Sequence, residues 1–429
     1  MGVKQLQTLL SELDALLATC TRCGRCQSVC PVFSTTRMEG DVTRGKIALL
    51  EGLAHQMLTD AGGVKARLDT CLLCGTCEAS CPSGVKVMDI FLKARTILTA
   101  YEGFSPLKRA VFRGSLSRPR LFSALLGIGV RLQSPFLKTA STFHGTSCSA
   151  VARPFLGGRH LVPLADRFLS SRFSNLNKKG KRGAPRVAVF PGCVVDKVYP
   201  KIGTDLLKIL THYQTGIILP GHPACCGIPA LAAGDRKTFD QLVRYNLERF
   251  PADTFDVLVT PCATCTATLK NLWVSLADGF SADAQKQIRA LSEKVMDISQ
   301  FLVDYLNVGA PQNTAVNPLK VTWHDPCHLK KSLGVAVQPR KLIQAIPTLS
   351  LVEMAVPDTC CGSGGSFTLQ QYDISKQIGL QKADQIVSTG AAVVSTGCPA
   401  CMMQITDMLS QKGAKIAVKH VVELYADSL

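Results

Sequence analysis

The chain has 429 residues, 46% of them hydrophobic, and a formal net charge of +17. This length exceeds the roughly 250 to 300 residues that one hydrophobic core usually serves, so two or three domains are expected. Its nineteen cysteines follow an N-terminus without a signal-peptide pattern, which favours metal-binding or redox cysteines in the cytoplasm over a secreted disulfide scaffold, and the apolar run at 121–130 is too short to cross a bilayer.

Two cysteine runs come first along the chain. Both read C-x2-C-x2-C-x3-C-P, the bacterial ferredoxin run in which the fourth cysteine ligates the other cluster. We therefore expect two cubane 4Fe-4S clusters, one on Cys20, Cys23, Cys26 and Cys81, and the other on Cys71, Cys74, Cys77 and Cys30. The alternative is a pair of zinc sites, which usually lack the C-x3-C-P ending.

The segment between the two runs has helical periodicity. VTRGKIALLEGLAHQML at 42–58 places Ile47, Leu50, Leu53 and Met57 on one helical face. This predicts an all-α ferredoxin-like module over residues 1–100. In this respect the region resembles the iron-sulfur subunits of succinate dehydrogenase more than the small β-rich ferredoxins.

A basic segment follows. Residues 101–186 contain sixteen Lys and Arg but only two acidic residues, Glu102 and Asp166. We expect residues 101–185 to form a helical connector, and its mixture of Arg with Leu and Phe is typical of a segment lying on an anionic membrane surface or an acidic partner. A solvated linker is the alternative. No nucleic-acid recognition motif is present, so nucleic acid is not an expected partner, and the isolated Cys148 is expected to be a buried or free thiol.

The C-terminal half contains an internal duplication. Cys193, Cys225-Cys226-Gly227 and Cys262-x-x-Cys265 recur as Cys327, Cys360-Cys361-Gly362 and Cys398-x-x-Cys401, at offsets of 134 to 136 residues. In each copy two cysteines end a segment with a short β-branched run and a turn, namely RVAVFPGC, FDVLVTPC, KVTWHDPC and AAVVSTGC. Alternation with helical stretches predicts Rossmann-like parallel-sheet units over 186–315 and 316–429, with cysteines converging beyond the strand ends. The predicted fold class is α+β and multidomain.

Five thiolates in each copy are more than one zinc ion or one cubane accepts from protein. Adjacent cysteines could instead flank different irons of an opened cluster, and the following glycine would allow a tight turn. His222, His324 and His328 are expected to be hydrogen-bond partners rather than ligands, and Asp325 to be a turn or capping residue.

This pattern resembles the CCG domain of heterodisulfide reductase, in which five cysteines hold a non-cubane 4Fe-4S cluster. With the ferredoxin-like module, HDPCHL at 324–329, CCGSGGSF at 360–367 and KHVVELY at 419–425, the whole chain resembles the glycolate oxidase iron-sulfur subunit and its lactate dehydrogenase relatives. The resemblance implies one or two non-cubane clusters, on Cys193, Cys225, Cys226, Cys262 and Cys265 and on Cys327, Cys360, Cys361, Cys398 and Cys401. Zinc in one copy is the alternative.

The resemblance also implies an electron-transfer role. Such a subunit passes electrons from a partner FAD subunit, which oxidises D-lactate or glycolate, toward a quinone or another acceptor. The chain has no dinucleotide-binding fingerprint, so FAD is expected on the partner. Cytoplasmic location, peripheral on the membrane, is expected. The alternatives are a heterodisulfide-reductase-like subunit with a catalytic cluster, a glycerol-3-phosphate dehydrogenase subunit, and a zinc-stabilised interaction scaffold.

Overall fold

The computed structural model describes residues 3–149, 158–308 and 317–429. Arg153 of the basic segment and the predicted boundary between residues 315 and 316 lie outside these ranges. The chain divides into two compact units. The first unit consists of the chain up to Arg118 together with Gly227–Gln241 and Gly362–Gly379, and the second unit of Pro119–Cys226, Leu242–Cys361 and Leu380–Leu429. The bounds of the four segments given above stay predictions.

The helices of the N-terminal third are α1 Val3–Ser11, α2 Asp14–Leu17, α3 Arg25–Val29, α4 Pro31–Thr36, α5 Thr43–Ala54, α6 Ala61–Asp69, α7 Thr76–Ala79, α8 Val87–Glu102, α9 Pro106–Arg109 and α10 Pro119–Phe136. Those that follow are α11 Leu169–Arg172, α12 Gly192–Lys197, α13 Pro200–His212, α14 Ile228–Ala232, α15 Arg236–Leu247, α16 Ala263–Ala267, α17 Trp273–Ser275, α18 Ala282–Glu293, α19 Ile298–Gln300, α20 Val337–Gln344, α21 Ser366–Gln370, α22 Tyr372–Ser388, α23 Pro399–Lys412 and α24 Val421–Asp427. Short 3-10 turns cover Glu39–Asp41, Ala252–Thr254 and Ala277–Gly279, and π-helical turns cover Ala110–Leu116, Thr268–Leu272, Phe301–Tyr305 and His328–Ser332.

The strands are β1 Lys138–Ser141, β2 Thr146–Cys148, β3 Leu176–Lys178, β4 Arg186–Val189, β5 Gly216–Leu219, β6 Val257–Thr260, β7 Val295–Asp297, β8 Leu319–His324, β9 Leu349–Val352, β10 Val393–Thr396 and β11 Ala417–His420. All of them follow residue 137, so the described part of the N-terminal region is helical. The chain is therefore a mixed α/β protein with a helical N-terminal region.

Helix α5 shows why the N-terminal region folds as helices. Its Ile47, Leu50 and Leu53 are buried, as the periodicity predicts. The helix ends earlier than the pattern, at Ala54, because the backbone turns at Gln56 with φ of +61°, and Met57 is 71% exposed. The apolar period therefore identified the helix but overestimated its length.

Besides the two-stranded antiparallel sheet β1-β2, the second unit contains two larger sheets with the same strand order. One runs β3-β5-β4-β6-β7 and the other β9-β8-β10-β11, so that β4 to β7 of the first copy correspond to β8 to β11 of the second. These strands pair in parallel, and only β3 joins its sheet antiparallel. The sequence duplication is thus a duplication of topology, while the more specific Rossmann-like description stays a prediction.

The carboxyl ends of the strands carry buried polar residues. In the second sheet Thr396 pairs in register with His324 on one side and with His420 on the other. In the first sheet Thr260 pairs with Asp297. The middle strands β6 and β10 are fully buried, as parallel strands covered on both faces are, and each begins with apolar residues. Buried polar groups at this edge identify it as the side on which a site is built.

None of the helices in the described ranges has both the length and the hydropathy that a bilayer span requires.

Candidate metal centres

The two N-terminal cysteine runs adopt the same backbone. In each run the residue before the second cysteine and the glycine after it have positive φ, at Arg22 and Gly24 and again at Leu73 and Gly75. A Cβ at Gly24 would lie 2.7 Å from the Arg44 guanidinium. The repeated left-handed turns wrap each loop so that its thiols share one side.

One cavity of the first unit is lined by Cys30, Cys71, Cys74 and Cys77. Cys30 comes from the first run and the other three from the second, which is the grouping expected for one cubane. Backbone N–H groups of Phe33 and Leu73 donate to the sulfurs of Cys30 and Cys71, each at 3.4 Å. Burial raises the pKa of the Cys30 thiol to about 12, so a thiolate here requires a bound cation.

Two buried cations accompany this cavity. Lys46 lines it directly, is 1% exposed and donates to the Gly40 carbonyl at 3.3 Å. Arg95 donates to the Leu68 carbonyl at 2.6 Å and to the Cys71 carbonyl at 2.9 Å, which fixes the start of the second cysteine run. Burial lowers the pKa of both side chains, and the Cys71 thiolate opposes that effect. Positive charge next to four thiols would offset part of a cluster's negative charge.

A second cavity of this unit is lined by Cys20, Cys23, Cys26 and Cys81, the set expected for the other cubane. It is nearer to solvent, since Cys23 is exposed and the other three are half-buried. Arg44 lines it and is held by Glu39, with Nε to Oε1 at 2.6 Å. Cys77, which belongs to the first set, also lines this cavity, so the two sets of four cysteines are neighbours within one unit.

The first cysteine copy gathers in the second unit. The sulfur of Cys193 lies 3.8 Å from that of Cys225. Cys265 contacts both Cys226 and Cys262. A Cβ on Gly192, whose φ is +76°, would lie 2.9 Å from the Cys265 sulfur. Glycine at this position therefore leaves the room that the thiol needs.

Two side chains hold the Cys225-Cys226 turn by its backbone. Asn246 donates to the Cys225 carbonyl at 3.0 Å and accepts from the Ala224 N–H at 3.3 Å. The Trp273 indole donates to the Cys226 carbonyl at 3.0 Å. The thiols are thereby left to face the site rather than to stabilise the loop.

The second copy brings together a different set. His324, Cys361 and Cys401 are all buried, and their ligand atoms lie within 4.8 Å of one another. Cys401 also contacts Cys398. Lys382 stands 136 residues after Asn246, at the equivalent place, and donates to the Val356 carbonyl at 2.9 Å. Burial lowers the pKa of Lys382 to about 8, and the thiolates of Cys361 and Cys360 oppose this.

The two copies contact each other through their cysteines. Cys262 hydrogen-bonds to Cys398, the Thr264 hydroxyl lies 3.5 Å from the Cys398 sulfur, and the Ala263 N–H donates to the Gly397 carbonyl at 3.0 Å. The bond from Cys262, with further bonds from Cys401 and Thr264, holds the pKa of Cys398 well below its usual range. Cysteines of both copies therefore form a connected group inside a single unit.

The remaining polar candidates take distinct places. His328 contacts the Thr264 hydroxyl at 3.2 Å, His222 is exposed, and Cys148 is half-buried on β2. Asp325 is buried, accepts from the Trp323 indole at 2.7 Å and pairs with Arg340 at 2.8 Å, so it fixes the turn before Cys327. Sequence reasoning did not identify Lys46, Asn246, Trp273 or Lys382.

The donor chemistry fits iron-sulfur groups. Thiols from both cysteine runs line each cavity of the first unit, together with the cationic side chains of Lys46 or Arg44, and thiols near these cations would be stabilised as thiolates. In the second unit the buried hydroxyls of Thr260, Ser395 and Thr396 have no hydrogen-bond partner among the described residues, and they precede Cys262 or Cys398 by two or three residues. Such groups are suited to donate to sulfur.

Comparison with known proteins gives matches along most of the chain. The family "4Fe-4S dicluster domain" matches residues 16–85, and the family "Cysteine-rich domain", also called CCG, matches residues 187–270 and 321–406. The chain is 28% identical to the "Probable glycolate oxidase iron-sulfur subunit" of Bacillus subtilis (strain 168), over 99% of this chain and 97% of that protein.

Two further relatives extend the comparison. One is a subunit of the "Fumarate reductase (CoM/CoB)" of Methanothermobacter marburgensis, which is 28% identical over 99% of this chain and 74% of its own length. The other, "Lactate utilization protein A 1" of Bacillus mycoides (strain KBAB4), is 30% identical over 56% of this chain and 96% of its own length. All three names belong to oxidoreductase or lactate-utilization proteins.

Proposed function

This chain belongs to the family of the glycolate oxidase iron-sulfur subunit and lactate utilization protein A, and we propose that it is the electron-transfer subunit of a flavin-dependent 2-hydroxy-acid dehydrogenase complex. It is an iron-sulfur subunit of an oxidoreductase complex, and D-lactate or glycolate is the proposed fuel. The observation that supports the proposal is the gathering of the cysteines: two sets of four each line a cavity of the first unit, and cysteines of both repeats contact one another in the second unit.

Bound clusters would accept and release single electrons. The residues proposed to hold the two cubanes are Cys20, Cys23, Cys26 and Cys81, and Cys71, Cys74, Cys77 and Cys30. Those proposed for the non-cubane clusters are Cys193, Cys225, Cys226, Cys262 and Cys265, and Cys327, Cys360, Cys361, Cys398 and Cys401. The rest of the chain positions these thiols, excludes water from most of them and sets the local charge.

Fuel oxidation belongs to a partner in this proposal. The sequence carries no dinucleotide-binding fingerprint, so the FAD that oxidises the hydroxy acid is assigned to a separate subunit. Electrons then leave toward a quinone or another acceptor. Side chains such as Lys46 and Lys382 assist by placing positive charge beside groups that become more negative on reduction.

The outer face of α10 is the proposed contact with a membrane on the cytoplasmic side. Leu121, Leu125, Ile128 and Leu132 lie at helical spacing and are 40% to 54% exposed. The opposite face is fixed to the second unit, since Lys197 donates to the Ser123 hydroxyl at 2.8 Å. No acidic residue occurs between Glu102 and Asp166, while Arg118, Arg120 and Arg131 are exposed, which suits an anionic lipid surface.

Anaerobic purification with iron and sulfide analysis tests the assignment. About sixteen iron atoms per chain are expected for four clusters, and about eight would mean that the cysteine repeats do not hold iron. Rapid reduction of the clusters by D-lactate or glycolate, only when the FAD subunit is added, would support the electron-transfer role. Reduction by neither acid would refute the proposed fuel.

A heterodisulfide-reducing role is the second candidate. The similarity to the CoM/CoB fumarate reductase subunit, which extends over 99% of this chain, favours it. Under this alternative the connected cysteine group of the second unit would act on a disulfide. Reoxidation of the isolated, reduced protein by a heterodisulfide would support it. The absence of reoxidation would leave the dehydrogenase role as the better proposal.

A further inference from the structure

The two copies of the duplication differ in chemistry at the end of their first strand. In the first copy Phe190 follows β4, and in the second copy His324 ends β8. Each lies three residues before the first cysteine of its copy, Cys193 or Cys327. Both side chains are buried, so an apolar ring in one copy is replaced by an imidazole in the other.

The imidazole faces thiols. The ligand atoms of His324, Cys361 and Cys401 are mutually within 4.8 Å. Ligand atoms bound to one metal ion at about 2.0 to 2.3 Å lie closer together than this limit, so modest side-chain adjustment would complete a shared site. Because Cys361 and Cys401 also belong to the five cysteines of the second copy, the ring is directed at the same group that those thiols would hold.

The ring nitrogens of His324 have few other possible interactions among the described residues. Neither ring nitrogen makes a hydrogen bond of normal geometry to any described residue, although the Pro357 carbonyl lies beside the ring. The nearby Lys382 ammonium donates to Val356 and Gln385 instead. Burial of a polar group without a partner is costly. A bound metal group between the imidazole and the thiols would supply the partner that the ring lacks.

We propose that His324 is a nitrogen ligand of the iron-sulfur group in the second cysteine copy, beside Cys361 and Cys401. This rests on the cluster assignment under Proposed function. The second site then binds through nitrogen and sulfur, whereas the first site, with Phe190 at the equivalent position, binds through sulfur alone. A neutral imidazole adds no charge to that of the thiolates, so the two sites would differ in the kind of ligand atom and not in ligand charge.

Pulsed EPR of the reduced holoprotein tests this ligand. Protein made with 15N-labelled histidine is compared with unlabelled protein, so the test needs no substitution and cannot be lost to misfolding. The expected result is a strong nitrogen coupling that changes with the isotope. His324→Phe, which copies the first repeat, should abolish the coupling, while His328→Asn should leave it unchanged.

The outcomes separate the inference from the function on which it rests. Sixteen iron atoms per chain without a strong histidine coupling, or with a coupling that survives in His324→Phe, would overturn the ligand role and leave the electron-transfer role intact. About eight iron atoms per chain in the wild-type protein would remove the cluster assignment and this inference together. Loss of the coupling in His324→Phe alone would establish the ligand.

Discussion

Replacement of Lys46 by methionine should lower the reduction potential of the cluster proposed on Cys30, Cys71, Cys74 and Cys77. Lys46 lines that cavity and is 1% exposed, so water screens its charge poorly. Burial lowers its pKa, but the thiolates of Cys71 and Cys30 and the Asp41 carboxylate oppose this, and we expect the ammonium to stay charged at neutral pH. Methionine keeps the length of the side chain and removes only the charge.

The size of the effect follows from Coulomb's law. For an assumed separation of about 6 Å and an effective dielectric constant of about 20, a unit positive charge favours an added electron by about 3 kcal/mol. For a one-electron couple this corresponds to roughly 120 mV. Loss of the charge makes the cluster harder to reduce, so the midpoint potential should move downward by on the order of 100 mV.

A redox titration followed by EPR measures this shift. Lys93→Met is the matched control, because Lys93 is an exposed lysine on α8 whose charge is screened by water. Iron content should be the same in both variants and in the wild-type protein. An upward shift in Lys46→Met, or a shift no larger than that of the control, would show that the buried ammonium does not set the potential.

Three further predictions concern the membrane face, pH and packing. Leu125→Glu with Ile128→Glu should abolish flotation with anionic vesicles while Val274→Glu, an exposed site elsewhere, should not; binding retained by the double variant would exclude α10 as the contact. Burial lowers the pKa of His420 to about 4 from about 6.5, so the imidazole must stay neutral in the fold, and the cluster-free protein should lose about 3 kcal/mol as pH falls from 6.5 to 4. In thermal melts, the His420→Asn variant should lose less stability than the wild-type protein over that pH range. An equal loss of stability would assign the pH dependence to other groups. Gly234→Ala should destabilise the first unit by about 3 kcal/mol in denaturant titrations, because φ is +84° and the new Cβ would lie 2.3 Å from the Thr99 hydroxyl; unchanged stability would mean that the backbone relaxes.

Local patterns allowed much of this architecture to be predicted. The strands at 186–189, 257–260, 319–324 and 393–396 lie where β-branched runs precede turns and cysteines. The duplication appears twice, as cysteine offsets and as a shared strand order. Such features depend on neighbouring residues or on long exact spacing, so one sequence is enough to show them.

Other features depend on tertiary packing and left no local signal. A lysine on an amphipathic helix normally faces solvent, so nothing in the sequence marks Lys46 as buried beside thiols. The contact of Cys262 with Cys398 needs the two copies to meet, which spacing within each copy does not describe. The sequence predicts His324 only as a hydrogen-bond partner of the cluster, whereas the fold brings a ligand atom of its ring within 4.8 Å of the Cys361 and Cys401 sulfurs.

The composition of the first unit has a consequence for biosynthesis. Gly227–Gln241 and Gly362–Gly379 belong to it, and Arg95 donates to the Ala232 carbonyl at 2.9 Å while Lys108 donates to Gln370 at 3.1 Å. A ribosome must therefore translate nearly nine-tenths of the message before this unit can close. Until then its eight cysteines stand in an unfinished fold, so iron delivery to them should be late and should depend on factors that shield nascent thiols.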